Sequence, residues 1–249
     1  MELDKIYNMD CLEGMKDIEN KSIDMILCDL PYGTTACKWD TIIPFDLLWL
    51  QYERIIKDNG AIVLTASQPF TSSLIMSKSK LFKYSWVYQK NKASNFMLAK
   101  KQPLKNHEDV CVFYKKQPTY TPQMKWKGIR DKRKIYTSKK IYNELYDGVI
   151  TVKSHSKDNG WRYPQSIIPF NNANTVGIVH SCQKPVSLFE YLIKTYTNEN
   201  ETVLDNCIGS GTTAIACINT NRRFIGFELD TGYFNIANER IVAVTKIHS

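Results

Sequence analysis

Asp29-Leu30-Pro31-Tyr32 closes the apolar run Met25 to Cys28 and is followed at once by Gly33. Proline this close to a buried strand stops the strand and fixes its backbone. The pattern therefore predicts a carboxylate and an aromatic ring held at a strand's end. A second set of chemical residues lies near the other end of the chain. Val203-Leu204-Asp205-Asn206-Cys207-Ile208-Gly209-Ser210-Gly211-Thr212-Thr213 passes from a short apolar segment through two glycines into a helical pattern. Gly209 and Gly211 let the backbone turn sharply and let a ligand approach it, and helix N-terminal N–H groups then face that ligand. One more acid, Glu228, ends the next apolar segment 17 residues beyond Gly211.

The glycine spacing is not GxGxxG, and no Gly-Lys-Ser/Thr follows, so neither a dinucleotide fingerprint nor a phosphate-gripping loop is present. In a doubly wound sheet an acid at the end of the second strand accepts hydrogen bonds from ribose hydroxyls. Asp205, just ahead of the turn, is placed to meet a charged amino-acid portion. An adenosine ligand with a cationic tail and no phosphates fits this set, which is the description of S-adenosyl-L-methionine. A purely structural glycine turn remains the alternative. Ser210 and Thr212 either touch the ligand or cap the helix.

The elements that must position these residues alternate. Lys21 to Asp29 reads as a buried parallel strand. Pro44 to Gly60 carries apolar residues at helical spacing, with Asn59-Gly60 as the expected stop. Ala61 to Ser67 reads as a strand, Phe70 to Ser79 as a helix, and Lys83 to Asn91 and Glu108 to Lys116 as two more strands. From about Pro118 to Pro169 periodicity fades, and Trp126, Tyr136, Tyr142, Tyr146, Trp161 and Tyr163 alternate with basic residues. Order returns with a helix from Lys184, a strand at Glu201–Asn206, a helix from Ser210, a strand at Arg222–Asp230 and a last helix from Gly232. This alternation on both sides of an insert predicts an α/β fold, one doubly wound, Rossmann-like parallel sheet. The expected division is 1–116 and 175–249 as two halves of one core, with 117–174 inserted.

Charge separates along the same lines. The chain of 249 residues has a net charge of +8. Lys115 to Arg162 holds 13 Lys/Arg against 4 Asp/Glu, Lys78 to Lys105 holds 8 Lys and no acid, and the remainder holds 12 basic against 21 acidic residues. A mildly acidic body with two basic segments is the footprint of a nucleic-acid partner; a solvated lysine-rich surface is the alternative. Lys125, Lys127, Arg130, Lys132, Arg133, Lys134, Lys139 and Lys140 are the expected nucleic-acid contacts. Seven cysteines without a CxxC pair, and four scattered histidines, predict reduced, mostly buried thiols and no metal site. No run of 18 apolar residues and no signal-like N-terminus occur, so no membrane partner is expected and the expected location is cytoplasmic.

Taken together, Asp29-Leu30-Pro31-Tyr32, Gly209-Ser210-Gly211-Thr212-Thr213 and Gln183-Lys184-Pro185 resemble the motifs of amino-methylating DNA methyltransferases, which modify adenine-N6 or cytosine-N4. The catalytic motif precedes the basic insert and the cofactor loop comes last, an order similar to the beta group of that family, bacterial or phage-encoded. The resemblance covers nearly the whole chain. It implies that Asp10 and Cys11 border the cofactor's adenine and that Gln183 and Lys184 contact the cofactor. Asp205, Cys207, Gly209, Ser210, Gly211 and Thr212 would surround its methionine end, with Glu228 on the ribose. It departs at three places: Leu30 where proline is usual, Asn206-Cys207 where Pro-Phe is frequent, and Ser181-Cys182 before Gln183.

The resemblance also implies a mechanism. The Asp29 carboxylate and the Leu30 carbonyl would accept both N–H bonds of the target amine, turning its lone pair toward the methyl donor. Pro31 would hold the turn rigid and Tyr32 would lie on the face of a base flipped out of the duplex. Leu30 acts there through its backbone, so its side chain is free to vary. Asp at the first motif position favours adenine-N6 over cytosine-N4. Methylation of RNA or of a protein glutamine fits the motif order less well, and the glycine spacing disfavours a nicotinamide oxidoreductase. A non-catalytic DNA-binding module would not need Asp29, Tyr32 and Glu228 intact. The family also carries two partner expectations, a second copy of the chain in a homodimer and a cognate restriction endonuclease.

Overall fold

The computed structural model describes residues 1–35, 37, 40–128, 139–143, 148–152, 159–172 and 183–248. In chain order the elements are β1 (Lys5–Asn8), α1 (Cys11–Lys16), β2 (Ile23–Asp29), α2 (Phe45–Ile55), β3 (Ile56–Ala66), α3 (Phe70–Ser77), β4 (Phe82–Ser94) and β5 (Lys105–Phe113). The short strands β6 (Lys125–Trp126), β7 (Lys139–Asn143), β8 (Gly148–Val152), β9 (Trp161–Arg162) and β10 (Ile167–Phe170) follow. The chain then returns to α4 (Val186–Tyr196), β11 (Thr202–Asp205), α5 (Thr212–Asn219), β12 (Arg223–Glu228) and α6 (Thr231–His248).

Eight strands form one sheet in the order β1-β12-β11-β2-β3-β5-β4-β10. Pairing is parallel except that β5 runs antiparallel to both β3 and β4. The expectation of a parallel sheet is corrected there for a simple reason. β4 and β5 follow each other without a crossover helix, so they can pair only as a hairpin. Strand β2 shows why its sequence is apolar throughout. Met25 and Leu27 join the core on one face with Leu188, Phe189 and Leu192 of α4. Ile26 and Cys28 join the other with Leu48, Trp49 and Tyr52 of α2. Both faces of the strand are buried, so alternation disappears from the sequence.

The expected helix stop at Asn59-Gly60 is also corrected. Helix α2 ends at Ile55 and the chain passes directly into β3, with Asn59 and Gly60 inside the strand. Gly60 serves a close approach, since a Cβ there would come within 2.8 Å of the Asp24 carbonyl and 2.7 Å of the Ile56 side chain. Neither atom set has room to retreat, because Ile56 is itself buried.

Two compact units appear, residues 1–121 with 165–249, and residues 122–164. In the smaller, β6 pairs with β9 and β7 with β8, both antiparallel. Its Trp126 and Trp161 rings meet edge to face at 5.6 Å, and Gly160, at φ +78°, fits under the Trp126 ring. Strand β10 lies in the stretch read from sequence as part of the insert, yet pairs with β4 as an edge of the large sheet. Among the described residues six cysteines are free thiols, and no helix is long and apolar enough to cross a membrane.

Candidate functional site

Strands β11 and β2 are parallel neighbours whose onward connections diverge, β11 toward β12 and β2 toward β3. Such a switch point opens a crevice outside the strands' carboxyl ends. Asp205 is the last residue of β11 and Asp29 the last of β2. Sequence segments 176 residues apart are thus brought side by side.

Asp29 is held from three directions. Its Oδ1 accepts from the Tyr32 hydroxyl at 2.7 Å and from the hydroxyl of Thr65 at the end of β3. Its Oδ2 accepts from Lys184 Nζ at 2.6 Å. A carboxylate offers about four lone-pair sites; three are used among the described residues, and one is left. Leu30 turns its side chain into the core, where it is 4% exposed. The expectation that this side chain is free to vary is corrected: the position is buried among apolar neighbours and takes an apolar side chain. The Tyr32 ring stacks on Phe70 with centroids 5.1 Å apart, and Lys184 Nζ stands 5.7 Å from its centroid.

The turn after Pro31 is fastened by Asp40. Its Oδ1 accepts from the backbone N–H of Tyr32 (2.7 Å) and Gly33 (2.8 Å), and its Oδ2 from Thr34 (2.8 Å) and Thr35 (2.7 Å). Burial pushes the Asp40 carboxyl up, but the bonds from Thr35, Gly33 and Thr34 together hold it below its ordinary value. Gly33 sits at φ +66°, a left-handed conformation that the tight turn requires.

Lys184 is only 8% exposed. Besides Asp29 it faces Glu108 of β5, with Nζ and Oε2 3.2 Å apart, and Glu108 is in turn paired with Lys90 of β4. Burial alone would depress the Lys184 ammonium; Asp29, Tyr32 and Glu108 reverse that and raise it well above its ordinary value. Burial likewise works to raise Glu108, and Lys184 and Lys90 outweigh it and lower it. The four charges Asp29, Lys184, Glu108 and Lys90 sum to zero in a largely desolvated chain.

On the β11 side, Asp205 is 2% exposed; its Oδ1 accepts from Cys207 N–H at 3.0 Å and its Oδ2 from the Thr213 hydroxyl. Burial pushes its carboxyl up to about 6, against the hydrogen bonds that favour ionisation. Gly209 and Gly211 both take left-handed backbone, φ +53° and +84°. A Cβ on Gly209 would stand in open space, whereas one on Gly211 would press 3.0 Å against Ala237. Glu228 ends β12 and fastens the loop, accepting from Gly209 N–H and Asp230 N–H, both at 2.8 Å. Arg240 of α6 donates to the Ser210 carbonyl and, at 3.0 Å, to its hydroxyl. Thr212 places its hydroxyl 3.5 Å from the Lys184 carbonyl.

Asn206, where the family motif often has proline, is buried and accepts from the Tyr52 hydroxyl of α2. Its amide nitrogen lies 3.6 Å from Cys11 Sγ and 3.4 Å from Cys207 Sγ. The hydrogen bond with Cys207 and burial keep the Cys11 thiol up, and burial does the same for Cys28. Asp10 caps α1, accepting from Leu12 N–H (2.8 Å) and Glu13 N–H (3.2 Å). Gln183 contributes a buried Oε1 without a hydrogen-bond partner among the described residues.

Lys125 and Lys127 belong to the smaller unit, as do Lys139 and Lys140 of β7. Arg130, Lys132, Arg133 and Lys134, like His180, Ser181 and Cys182, lie outside the described residues. Sequence reasoning missed Asp40, Thr65, Phe70 and Glu108. Glu108 stands among polar neighbours at the start of an apolar run, and Thr65 and Phe70 are ordinary residues, until the fold delivers them.

Comparison with known proteins agrees with this geometry. The family model described as DNA methylase, covering the N6 and N4 enzymes, matches residues 23–239. The type II methyltransferase M1.MboII of Moraxella bovis is 26% identical, over 96% of this chain and 96% of its own. M.HpaI of Haemophilus parainfluenzae is 26% identical over 92% of this chain and 71% of its own. Among solved structures, the M1.HpyAVI–SAM complex superposes with a TM-score of 0.65 at 24% identity, covering 95% of this chain and 98% of its own. The cytosine-N4-specific PvuII DNA methyltransferase gives 0.66 at 14% identity, over 97% and 91%. With the family model spanning most of the chain and a methyltransferase-like sheet beneath it, the chain belongs to the N6/N4 DNA methylase family.

Proposed function

We propose that the protein transfers a methyl group from S-adenosyl-L-methionine to adenine-N6 of a base flipped out of double-stranded DNA. The observation that carries this reading is the pair of acids at the switch point, Asp29 with one acceptor site left and Asp205 beside the glycine loop. The residues fit the cofactor. Open space over Gly209, the unpartnered Gln183 Oε1 and the Glu228 carboxylate offer a cradle, an acceptor and a partner for a ribose diol. When bound, the cofactor supplies a methyl group already activated on a sulfonium.

The chain's own residues do the rest. Asp29 accepts one amine N–H and the Leu30 carbonyl the other, so the nitrogen becomes more tetrahedral and its lone pair withdraws from the ring's π system toward the methyl donor. Positive charge grows on that nitrogen, and Asp29 stabilises it. The Lys184 ammonium opposes that charge, and Glu108 compensates Lys184. Asp40 keeps the turn from moving as the base enters. Extruding the base costs a few kcal/mol, which phosphate contacts from the basic segments offset. Adenine is favoured because aspartate begins the motif.

The test is direct. The protein is incubated with mixed-sequence duplex DNA and methyl-labelled S-adenosyl-L-methionine, and the DNA is digested to nucleosides. Label in N6-methyl-2′-deoxyadenosine is expected. Label in N4-methyl-2′-deoxycytidine would overturn the adenine assignment, and an unlabelled digest would overturn the reaction.

A further inference from the structure

Beyond the end of β3, β4 and β5 continue as an arm, with β10 alongside β4 as far as Lys90. Strand β3 ends at Ala66 opposite Asp109, while β4 and β5 go on pairing to Ser94 opposite Lys105. Residues 105–108 of β5 lie past that level, so the arm extends roughly 13 Å further. It leaves the sheet on the side of Asp29, because β4 is parallel in direction to β2 and β3. Glu108, which faces Lys184 in the site, is part of the arm's base. The tip therefore stands just outside the place where a base must enter.

The tip is a built turn. Asn95 takes a left-handed conformation at φ 64°, and Phe96–Leu98 form a single 3-10 turn. Leu98 N–H donates to the Asn95 carbonyl at 2.9 Å, Lys101 N–H to the Leu98 carbonyl at 2.8 Å, and Gln102 N–H to the same carbonyl at 3.0 Å. This holds Phe96 and Met97 outward, 79% and 85% exposed. Two large apolar side chains so exposed at the end of an ordered arm need an occupant. Lys92, Lys100 and Lys101 flank them, all exposed and without an ion pair among the described residues, and no acid occurs from Lys78 to Lys105. A second copy docked symmetrically through this patch would set lysines against lysines. Phosphate supplies the complementary charge.

We infer that the Phe96–Met97 tip wedges into the DNA duplex beside the target base, with Lys92, Lys100 and Lys101 on the neighbouring phosphates. This rests on the base-flipping reading above. Apolar wedges of Phe and Met are suited to unstacking a base step, and the space left by an extruded base gives them a face to stack on. The arm would then couple groove entry to the site through Glu108 and Lys184.

Two measurements test it. Mixed-sequence duplex DNA substituted with 5-bromouracil is irradiated in complex with the protein and the crosslinked peptide identified by mass spectrometry. Crosslinks in residues 93–100, the tryptic peptide bearing Phe96 and Met97, are expected. The double variant Phe96→Ser/Met97→Ser replaces exposed side chains and leaves the core intact. Its methyl transfer to DNA should fall at least about tenfold, the scale of one lost stacking contact, with S-adenosyl-L-methionine binding unchanged. Crosslinks only elsewhere, or activity within twofold of the parent, would overturn the wedge. A change confined to sedimentation mass would overturn it too, by making the tip a self-interface. Crosslinking needs no methyl transfer, so DNA captured at the tip by a protein that labels no DNA supports the wedge while the methyl-transfer reading fails.

Discussion

Asp205 is buried at the end of β11 with its carboxyl pushed up to about 6. The folded chain therefore keeps a proton that the unfolded chain has released above about pH 4. The stability this contributes is complete below that pH and is lost as pH rises through about 6. Raising a buried carboxyl that far above its ordinary value corresponds to on the order of 3 kcal/mol. Asp205→Asn removes the titration, so its unfolding free energy should change less than the parent's between about pH 4 and about pH 7, by roughly that amount, in chemical denaturation at both pH values. Parallel losses in the two proteins would refute burial as the cause. At this scale the sequence was informative for motif residues and silent for their supports. Asp29, Tyr32, Asp205 and Glu228 stand beside proline or glycine punctuation, which has a local signature. Thr65 and Glu108 have none, because their proximity to Asp29 exists only after strand pairing. Lys184 was read from sequence as a cofactor contact; its side chain lies against Asp29 and Glu108.

Three elements meet at Lys184. It precedes α4, Asp29 ends β2, and Glu108 lies in β5. Removing one partner of a buried ion pair leaves charge uncompensated, at a cost of about 3–5 kcal/mol. Lys184→Met should destabilise the protein on that scale, and adding Glu108→Gln should recover part of the loss, since Asp29 and Lys90 then remain as a balanced pair. A double-mutant cycle by denaturant unfolding reads the coupling, expected at about 1–3 kcal/mol; strictly additive effects would mean the three elements are not joined through this residue. Asp40 acts on a single element, the turn after β2. Asp40→Ala strips four backbone N–H groups of their acceptor, and methyl transfer should fall by at least about tenfold while the fold of the sheet survives in circular dichroism. Unchanged turnover would show that the turn holds its shape without Asp40. Elements were legible where apolar runs are long, as in β2 and β11. β1 was missed because its four residues are half polar, and the direction of β5 was misread because alternation carries no sense of strand direction.

The whole molecule divides charge as the sequence indicated, with the segment from Lys78 to Lys105 carrying 8 Lys and no acid and the rest outside the insert acidic in balance. Away from the two basic segments the acidic balance disfavours a duplex, so the arrangement orients DNA as well as binding it. Each phosphate contact releases counterions and adds about 0.9 to the slope of log affinity against log salt. Replacing Lys92, Lys100 and Lys101 by Gln should therefore lower that slope by about 2–3, measured by fluorescence anisotropy with mixed-sequence duplex DNA. Lys16, Lys21 and Lys57 are the control, because they are already paired with Glu13, Asp58 and Asp24 on the body. Their replacement by Gln removes the same formal charge from the molecule and should leave the slope within about 0.5 of the parent. Equal decreases from the two sets would mean that total charge, and not its placement beside the catalytic edge, governs how this chain meets DNA.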